Sequence, residues 1–109
     1  MDEIISKLAG IGFPAVVLLI AMATTGLTGA AAITAALAML GPGGMIGGIV
    51  LLGIIGLASD ALTKYGLEAL LVGVYQERIS QGESKINLSQ EIDKLPISRE
   101  LKLIIKDEL

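Results

Sequence analysis

The stretch from Leu8 to Ser59 reads LAGIGFPAVVLLIAMATTGLTGAAAITAALAMLGPGGMIGGIVLLGIIGLAS and contains no charged residue. It makes up nearly half of a chain of 109 residues. A domain of this size has too little interior to shield so long an apolar stretch from water. The hydrocarbon core of a bilayer is the simplest surrounding for it, so the sequence predicts a small membrane protein.

The residues outside this stretch exclude several classes of function. The net charge is −3 and no basic cluster is present, which argues against nucleic acid as a partner. The chain has no cysteine and no histidine, so the usual bases, nucleophiles and metal ligands are missing. We therefore expect no enzyme, no catalytic residue, no metal site and no cofactor. Met1–Lys7 holds two acids and one lysine, the wrong charge for a cleaved signal peptide.

Turn-forming residues divide the apolar stretch into two predicted helices. Pro14 suits the first turn of a helix that extends to Leu40, and the weak segment Gly26–Gly29 predicts a break or kink in it. Gly41–Gly44 predicts a reversal, and Met45–Leu62 is the second apolar helix. A shallow re-entrant hairpin is an alternative, because the second helix is short for a span.

The flanking segments are predicted to be amphipathic and helical. Met1–Ala9 forms a short amphipathic segment that Gly10-Ile11-Gly12 interrupts. Leu67–Ile79 carries Glu68, Glu77 and Arg78 opposite its apolar side, which indicates an interfacial helix or one packed against the hairpin.

Two short helices are predicted in the tail. One runs over Ser89–Leu95, and the other begins after Ser98, a good N-cap residue. The carboxylates of Glu91 and Asp93 are predicted to be solvated.

The predicted fold is all-α: a membrane hairpin of two apolar helices, the first kinked, followed by a short soluble helical tail. The segments are 1–12, 13–66 and 67–109. The uncharged turn is easier to translocate than the charged ends, so both termini are expected in the cytoplasm with Lys7 and Lys64.

Small residues recur four apart in the apolar helices. Helices in lipid gain from close backbone approach, which small residues permit. We therefore predict helix packing or self-association, within the hairpin or between copies, through Ala30, Thr34, Ala38, Gly43, Gly44, Gly47 and Gly48.

Charged and aromatic residues follow the second apolar helix. Asp60, Lys64 and Glu68 are spaced to share one helix face, and Tyr65 adjoins Lys64. Asp60, Lys64 and Tyr65 are predicted to anchor the end of the helix at the membrane interface.

Thr25–Ala35 reads TGLTGAAAITA and precedes the glycine turn. Together with that turn, up to Gly48, it resembles the small interferon-alpha-inducible membrane proteins. This resemblance implies a role in membrane permeability and cell death. The overall plan is also similar to holin-type permeabilising proteins and to the pilin subunits of conjugation systems, which pack two apolar helices into filaments. No functional residue is carried over from any of these families.

The leading hypothesis is a self-associating, pore-forming or membrane-permeabilising protein of the toxin or cell-death effector type. Its partners would be membrane lipid, further copies of the chain, and a protein bound by the tail. A filament or scaffold subunit of pilin type is the first alternative. The second is a soluble oligomeric helical bundle that hides the apolar stretch in protein.

Overall fold

The computed structural model describes residues 3–26 and 44–109. Over these residues the chain is all-helical and has no strand, which confirms the all-α prediction. The described helices are α1 (Glu3–Ile11), α2 (Phe13–Thr25), α3 (Gly44–Tyr65), α4 (Leu67–Ser80), α5 (Lys85–Asp93) and α6 (Arg99–Asp107).

A single glycine makes the corner between α1 and α2. Gly12 has φ 86°, a left-handed value, and its carbonyl accepts the first backbone hydrogen bonds of α2. Pro14 lies in the first turn of α2, as predicted. The predicted interruption over Gly10-Ile11-Gly12 is narrower in the structure, because α1 continues through Gly10 and Ile11.

Helix α2 is the centre of the described structure. Every residue from Ala15 to Met22 is exposed by 4% or less. Its sequence has no polar face, and α1, α3 and α4 all pack against it. A helix that is apolar on all sides must be covered on all sides.

Helix α2 ends where the sequence predicted a break. Gly26 is left-handed with φ 69°, and its N–H donates to the Met22 carbonyl at 2.9 Å. The predicted continuation to Leu40, and most of the glycine turn, lie outside the described residues.

Helix α3 is longer than the predicted second helix and runs from Gly44 to Tyr65. Gly66, with φ 78°, separates it from α4, as the sequence indicated. Glu68 therefore belongs to a different helix from Asp60 and Lys64. The prediction that these three residues share one helix face is wrong, because the axis breaks at Gly66.

Helix α4 packs against the first three helices. Leu70, Leu71 and Val74 are fully buried on it. It comes closest to α1 at Gly73, where an added Cβ would lie 3.1 Å from Ile5 Cδ1. The glycine lets the two helices approach at this point.

The tail forms two capped helices. Ser84 caps α5 and Ser98 caps α6, each hydroxyl accepting a backbone N–H three residues on. The Ser98 cap was predicted, whereas α5 begins four residues before the predicted Ser89 because Ser84 caps it. Four apolar tail residues are buried to 2% exposure or less: Leu88, Ile92, Leu95 and Ile105.

Among the described residues, one bent pair of helices is a candidate membrane span. No single helix there is both long and apolar enough to cross a bilayer. Helices α1 and α2 meet the requirement of length and composition only as a pair, which is bent by 113°.

The contact between α1 and α4 predicts the effect of enlarging Gly73. Gly73→Leu should lower the free energy of unfolding by about 1–3 kcal/mol, because the new side chain would collide with Ile5. Urea unfolding measures the change. Gly56→Leu is the matched control in α3, since an added Cβ there meets no atom within 4 Å. Equal losses in both variants would contradict the close approach of α1 to α4.

Candidate functional site

Four of the seven predicted packing residues lie outside the described residues. The other three lie at the start of α3: Gly47 and Gly48, which were predicted in this helix, and Gly44, which was predicted in the turn before it. The four outside the described residues are Ala30, Thr34, Ala38 and Gly43. Their role in helix packing or self-association stays a prediction.

The predicted interfacial residues lie in the last two turns of α3. Asp60 and Lys64 are exposed and Tyr65 is half-buried. The Lys64 Nζ atom lies 5.2 Å from the centroid of the Tyr65 ring, within range of a cation–π interaction. Their role at a membrane interface also stays a prediction.

A second group of polar residues lies between α4 and α5 and is centred on a buried arginine. Among the described residues, Arg78 is the one charged residue that is buried, and its side chain is 5% exposed. Its Nε and Nη2 atoms donate to the two carboxylate oxygens of Glu83 at 2.6 and 2.9 Å. Its Nη1 and Nη2 atoms donate to Glu91 at 2.5 and 3.0 Å. Arg78 thus binds two carboxylates, each through two hydrogen bonds.

Tyr75 completes this group, one helical turn before Arg78. Its hydroxyl donates to Glu91 Oε2 at 2.6 Å, and its ring centroid lies 5.2 Å from Arg78 Cζ. The Tyr75 side chain is fully buried. We call Tyr75, Arg78, Glu83 and Glu91 the arginine cluster.

The end of α4 brings Glu83 back to Arg78. Gly82 is left-handed with φ 103°, and its N–H donates to the Ile79 carbonyl. The Glu83 N–H donates to the Arg78 carbonyl at 3.1 Å. These two bonds form a Schellman motif, which folds the chain back over the last turn of a helix. Ser84 then starts α5 immediately, so Glu91 faces Arg78 two turns later.

The two carboxylates have different surroundings. Glu83 is 42% exposed at its side chain, whereas Glu91 is 19% exposed. The hydrogen bonds from Arg78 hold the pKa of Glu83 below its ordinary value, against a smaller opposing effect of burial. The inner carboxylate, Glu91, is therefore the one that connects Arg78 to Tyr75 and α5.

Burial and pairing act on the two members of the cluster in α4. Burial raises the pKa of Tyr75, and the hydrogen bond to Glu91 and its charge raise it further. Burial alone would lower the pKa of Arg78, but its hydrogen bonds with both glutamates raise it overall. At neutral pH the cluster therefore holds a neutral tyrosine and a charged guanidinium.

The sequence predictions for Arg78 and Glu91 are wrong. Arg78 is predicted on the polar side of its helix and Glu91 in solvent, yet Arg78 is buried and pairs with Glu91, whose side chain is only 19% exposed. Both residues occupy positions of an apolar stripe: Arg78 follows Leu71 and Val74 at helical spacing, and Glu91 adjoins Ile92. A basic residue on one buried stripe and an acidic residue on the next is the pattern that could have revealed the pair.

The hydrogen bonds of the cluster join α4 to the following turn and to α5 within one chain. Within the described parts of the chain, no buried side-chain nitrogen or oxygen lacks a hydrogen-bond partner. Over the same residues, no group of three or more acidic, histidine or cysteine side chains could hold a metal ion. The geometry fits a charged contact between helices.

A surface cleft lies at the other end of the bundle. Met22 and Gly26 from α2, Leu62 from α3 and Leu67 from α4 are among the residues that line it. This lining is largely apolar and includes no charged residue.

Comparison with protein-family models, curated proteins and solved structures finds no match to this chain, so the family resemblances rest on sequence pattern alone.

Removing the charge of Glu91 should destabilise the fold. Glu91→Gln is expected to lower the free energy of unfolding by about 1.5–3 kcal/mol, because it weakens the hydrogen bonds of a buried guanidinium and a buried hydroxyl. Asp93→Asn is the control on the same helix: Asp93 pairs with Lys106 on the surface and is 59% exposed. Its loss should be about 0.5 kcal/mol or less. A similar loss from both substitutions in denaturant unfolding would contradict the burial of the cluster.

The cluster also predicts how stability depends on pH. The depressed pKa of Glu83 contributes stability that is complete above its ordinary value of 4.5 and is lost as the pH falls through the folded value. The raised pKa of Tyr75 contributes stability that is complete below its ordinary value of 10.0 and declines as the pH rises above it. Urea unfolding from pH 3 to 11 should therefore show a plateau between these limits.

Two variants test which residue sets the acid end and which sets the alkaline end of the stability plateau. Glu83→Gln should make the acid decline shallower, and Tyr75→Phe should make the alkaline decline shallower. Parallel profiles for the wild-type protein and both variants would show that neither group contributes.

Proposed function

We propose that this chain is a small, self-associating membrane protein that permeabilises lipid bilayers, as toxins and cell-death effectors do. The observation that supports this most is the character of α2, a helix with no polar face inside an uncharged stretch of the chain. Such a helix is stable only inside protein or inside lipid. A bilayer offers more apolar surface to cover this helix than the rest of a chain of 109 residues does.

The proposed membrane form is a hairpin of two apolar helices within residues 13–66. Helix α2 alone has 13 residues, about 20 Å of helix, and a bilayer core is about 30 Å thick. The span therefore needs the apolar residues that follow Thr25 in sequence. Lys7 and Lys64 then remain on one side, which is the cytoplasmic side by the distribution of positive charge.

Self-association is proposed to use the small residues of the apolar helices. Gly44 and Gly48, four apart at the start of α3, would let a second helix approach closely. Copies packed side by side would surround a pore, and the charged tail would regulate assembly or bind a protein partner.

A dye-release experiment tests this function. Wild-type protein should release a fluorescent dye trapped in liposomes, and the double substitution Gly47→Ile with Gly48→Ile should reduce the release severalfold by blocking close helix packing. Gly56→Ile is the control in the same helix, because Gly56 belongs to no pair of small residues four apart. Intact vesicles at high loading of wild-type protein would overturn the proposal.

The soluble oligomeric bundle is favoured by one specific observation. Ala15–Met22 is covered by other parts of the same protein, so α2 is already shielded from water. Recovery of the protein in the supernatant after alkaline carbonate extraction would support this alternative. The pilin-type filament would instead appear as long polymers in electron micrographs of the purified protein.

A further inference from the structure

The arginine cluster lies next to the corner where α1 turns into α2. Phe13, the first residue of α2, lines one surface cleft together with Asn87, Glu91 and Lys94. Glu91 thus contacts Arg78 and Tyr75 of α4 and also borders the cleft at this corner. The hinge residue of the corner, Gly12, immediately precedes Phe13.

Helix α4 links the cluster to the cover of α2. On one side it packs against α1, where Gly73 meets Ile5, and against α2 itself. On the other side it carries Tyr75 and Arg78, which bind α5. Its Gln76 also donates to the Glu108 carbonyl at 3.1 Å, just beyond α6. The tail and the cover of α2 are therefore connected through one helix.

The cover of α2 matters for entry into lipid. Helices α1, α3 and α4 pack against α2, and every residue from Ala15 to Met22 is exposed by 4% or less. While α4 remains packed against α1 and α2, the apolar surface of α2 cannot reach lipid. Release of α4 is thus a condition for entry of the proposed hairpin into a bilayer.

We propose that the arginine cluster is a latch: while closed it keeps the tail on α4 and thereby stabilises α4 over α1 and α2, and its opening lets α2 and the apolar hairpin enter a bilayer. This inference rests on the proposed membrane function and adds its regulation. The tail acts as an intramolecular inhibitor of insertion.

Two substitutions open the latch in different ways. Glu91→Gln removes the charge that connects Arg78 to α5. Gly82→Ala leaves every charge in place but strains the turn that returns Glu83 to Arg78, because φ 103° is unfavourable for alanine. Asp93→Asn is the control, since it removes a surface ion pair between α5 and α6 and leaves the cluster intact.

A cross-link keeps the latch closed. The chain has no cysteine, so Gln76→Cys with Glu108→Cys gives one defined pair of thiols outside the cluster. A bismaleimide with a cleavable disulfide spacer would join α4 to the end of the tail. Reduction of the spacer then releases the same protein without a further substitution.

Two measurements are made on each full-length variant. Amide hydrogen exchange in buffer reports the opening of α5, and dye release from vesicles of phosphatidylcholine and phosphatidylglycerol reports insertion. Glu91→Gln and Gly82→Ala should each raise the exchange of α5 and the rate of dye release by about tenfold, whereas Asp93→Asn should change neither by more than about twofold. The cross-linked protein should release no dye until its spacer is reduced.

The outcomes separate the latch from the function. If the wild-type protein releases dye and the opened and cross-linked forms release it at the same rate, the latch is refuted and the membrane function stands. If the wild-type, opened and reduced forms all leave the vesicles intact although exchange of α5 has risen, the membrane function is refuted and the latch with it.

Discussion

The guanidinium of Arg78 can stay in the protein interior only while carboxylates pair with it, and here Glu83 and Glu91 both do. Moving a charge out of water costs several kcal/mol, and this cost is offset only when geometry and hydrogen bonding are good. Here four hydrogen bonds from three nitrogens meet both conditions. The two glutamates come from the turn after α4 and from α5, so the position of the whole tail depends on where Arg78 lies. A lysine could not replace it, because a single ammonium cannot bind two carboxylates bidentately.

The cluster fixes the orientation of the tail more strictly than apolar contacts do. Leu88, Ile92 and Ile105 bury the tail against the bundle, but contacts between aliphatic side chains tolerate rotation and slippage. A guanidinium that must meet two carboxylates accepts one arrangement of the helices. The tail is thereby held in one register on α4, with Asn87, Glu91 and Lys94 around a cleft that Phe13 at the start of α2 also lines.

Local sequence rules accounted for most of the helix boundaries. Gly12, Gly26 and Gly66 end or begin helices where the sequence indicated a boundary, because each adopts a backbone conformation that other residues avoid. Ser98 caps α6 for an equally local reason, the hydrogen bond from its hydroxyl to a backbone N–H. These features depend on fewer than six neighbouring residues and can be read without knowledge of the fold.

Contacts between distant residues were not predictable in this way. Arg78 and Glu91 are thirteen residues apart in sequence, and each on its own is typical of a solvated helix face. Which side of α4 is buried depends on α1 and on the apolar stripe of the tail, so the environment of Arg78 is a property of the assembled bundle. The predicted start of α5 at Ser89 is four residues late, because the Ser84 side chain caps the helix. The same limit applies to α2, since its sequence demands an apolar cover but does not identify it.

A helix with no polar face can be covered by protein or by lipid. The difference in free energy between these two forms sets which one is populated. Shifting such an equilibrium from one form to the other, from 1:99 to 99:1, takes about 5.5 kcal/mol. Weakening the cluster at Glu91 supplies about 1.5–3 kcal/mol, which is only part of that difference. In the proposed latch, the remainder would come from the bilayer, through the apolar surface that it covers when α2 leaves the bundle. In this latch the cluster would favour the closed form in water, and contact with lipid would supply the rest of the free energy that insertion needs.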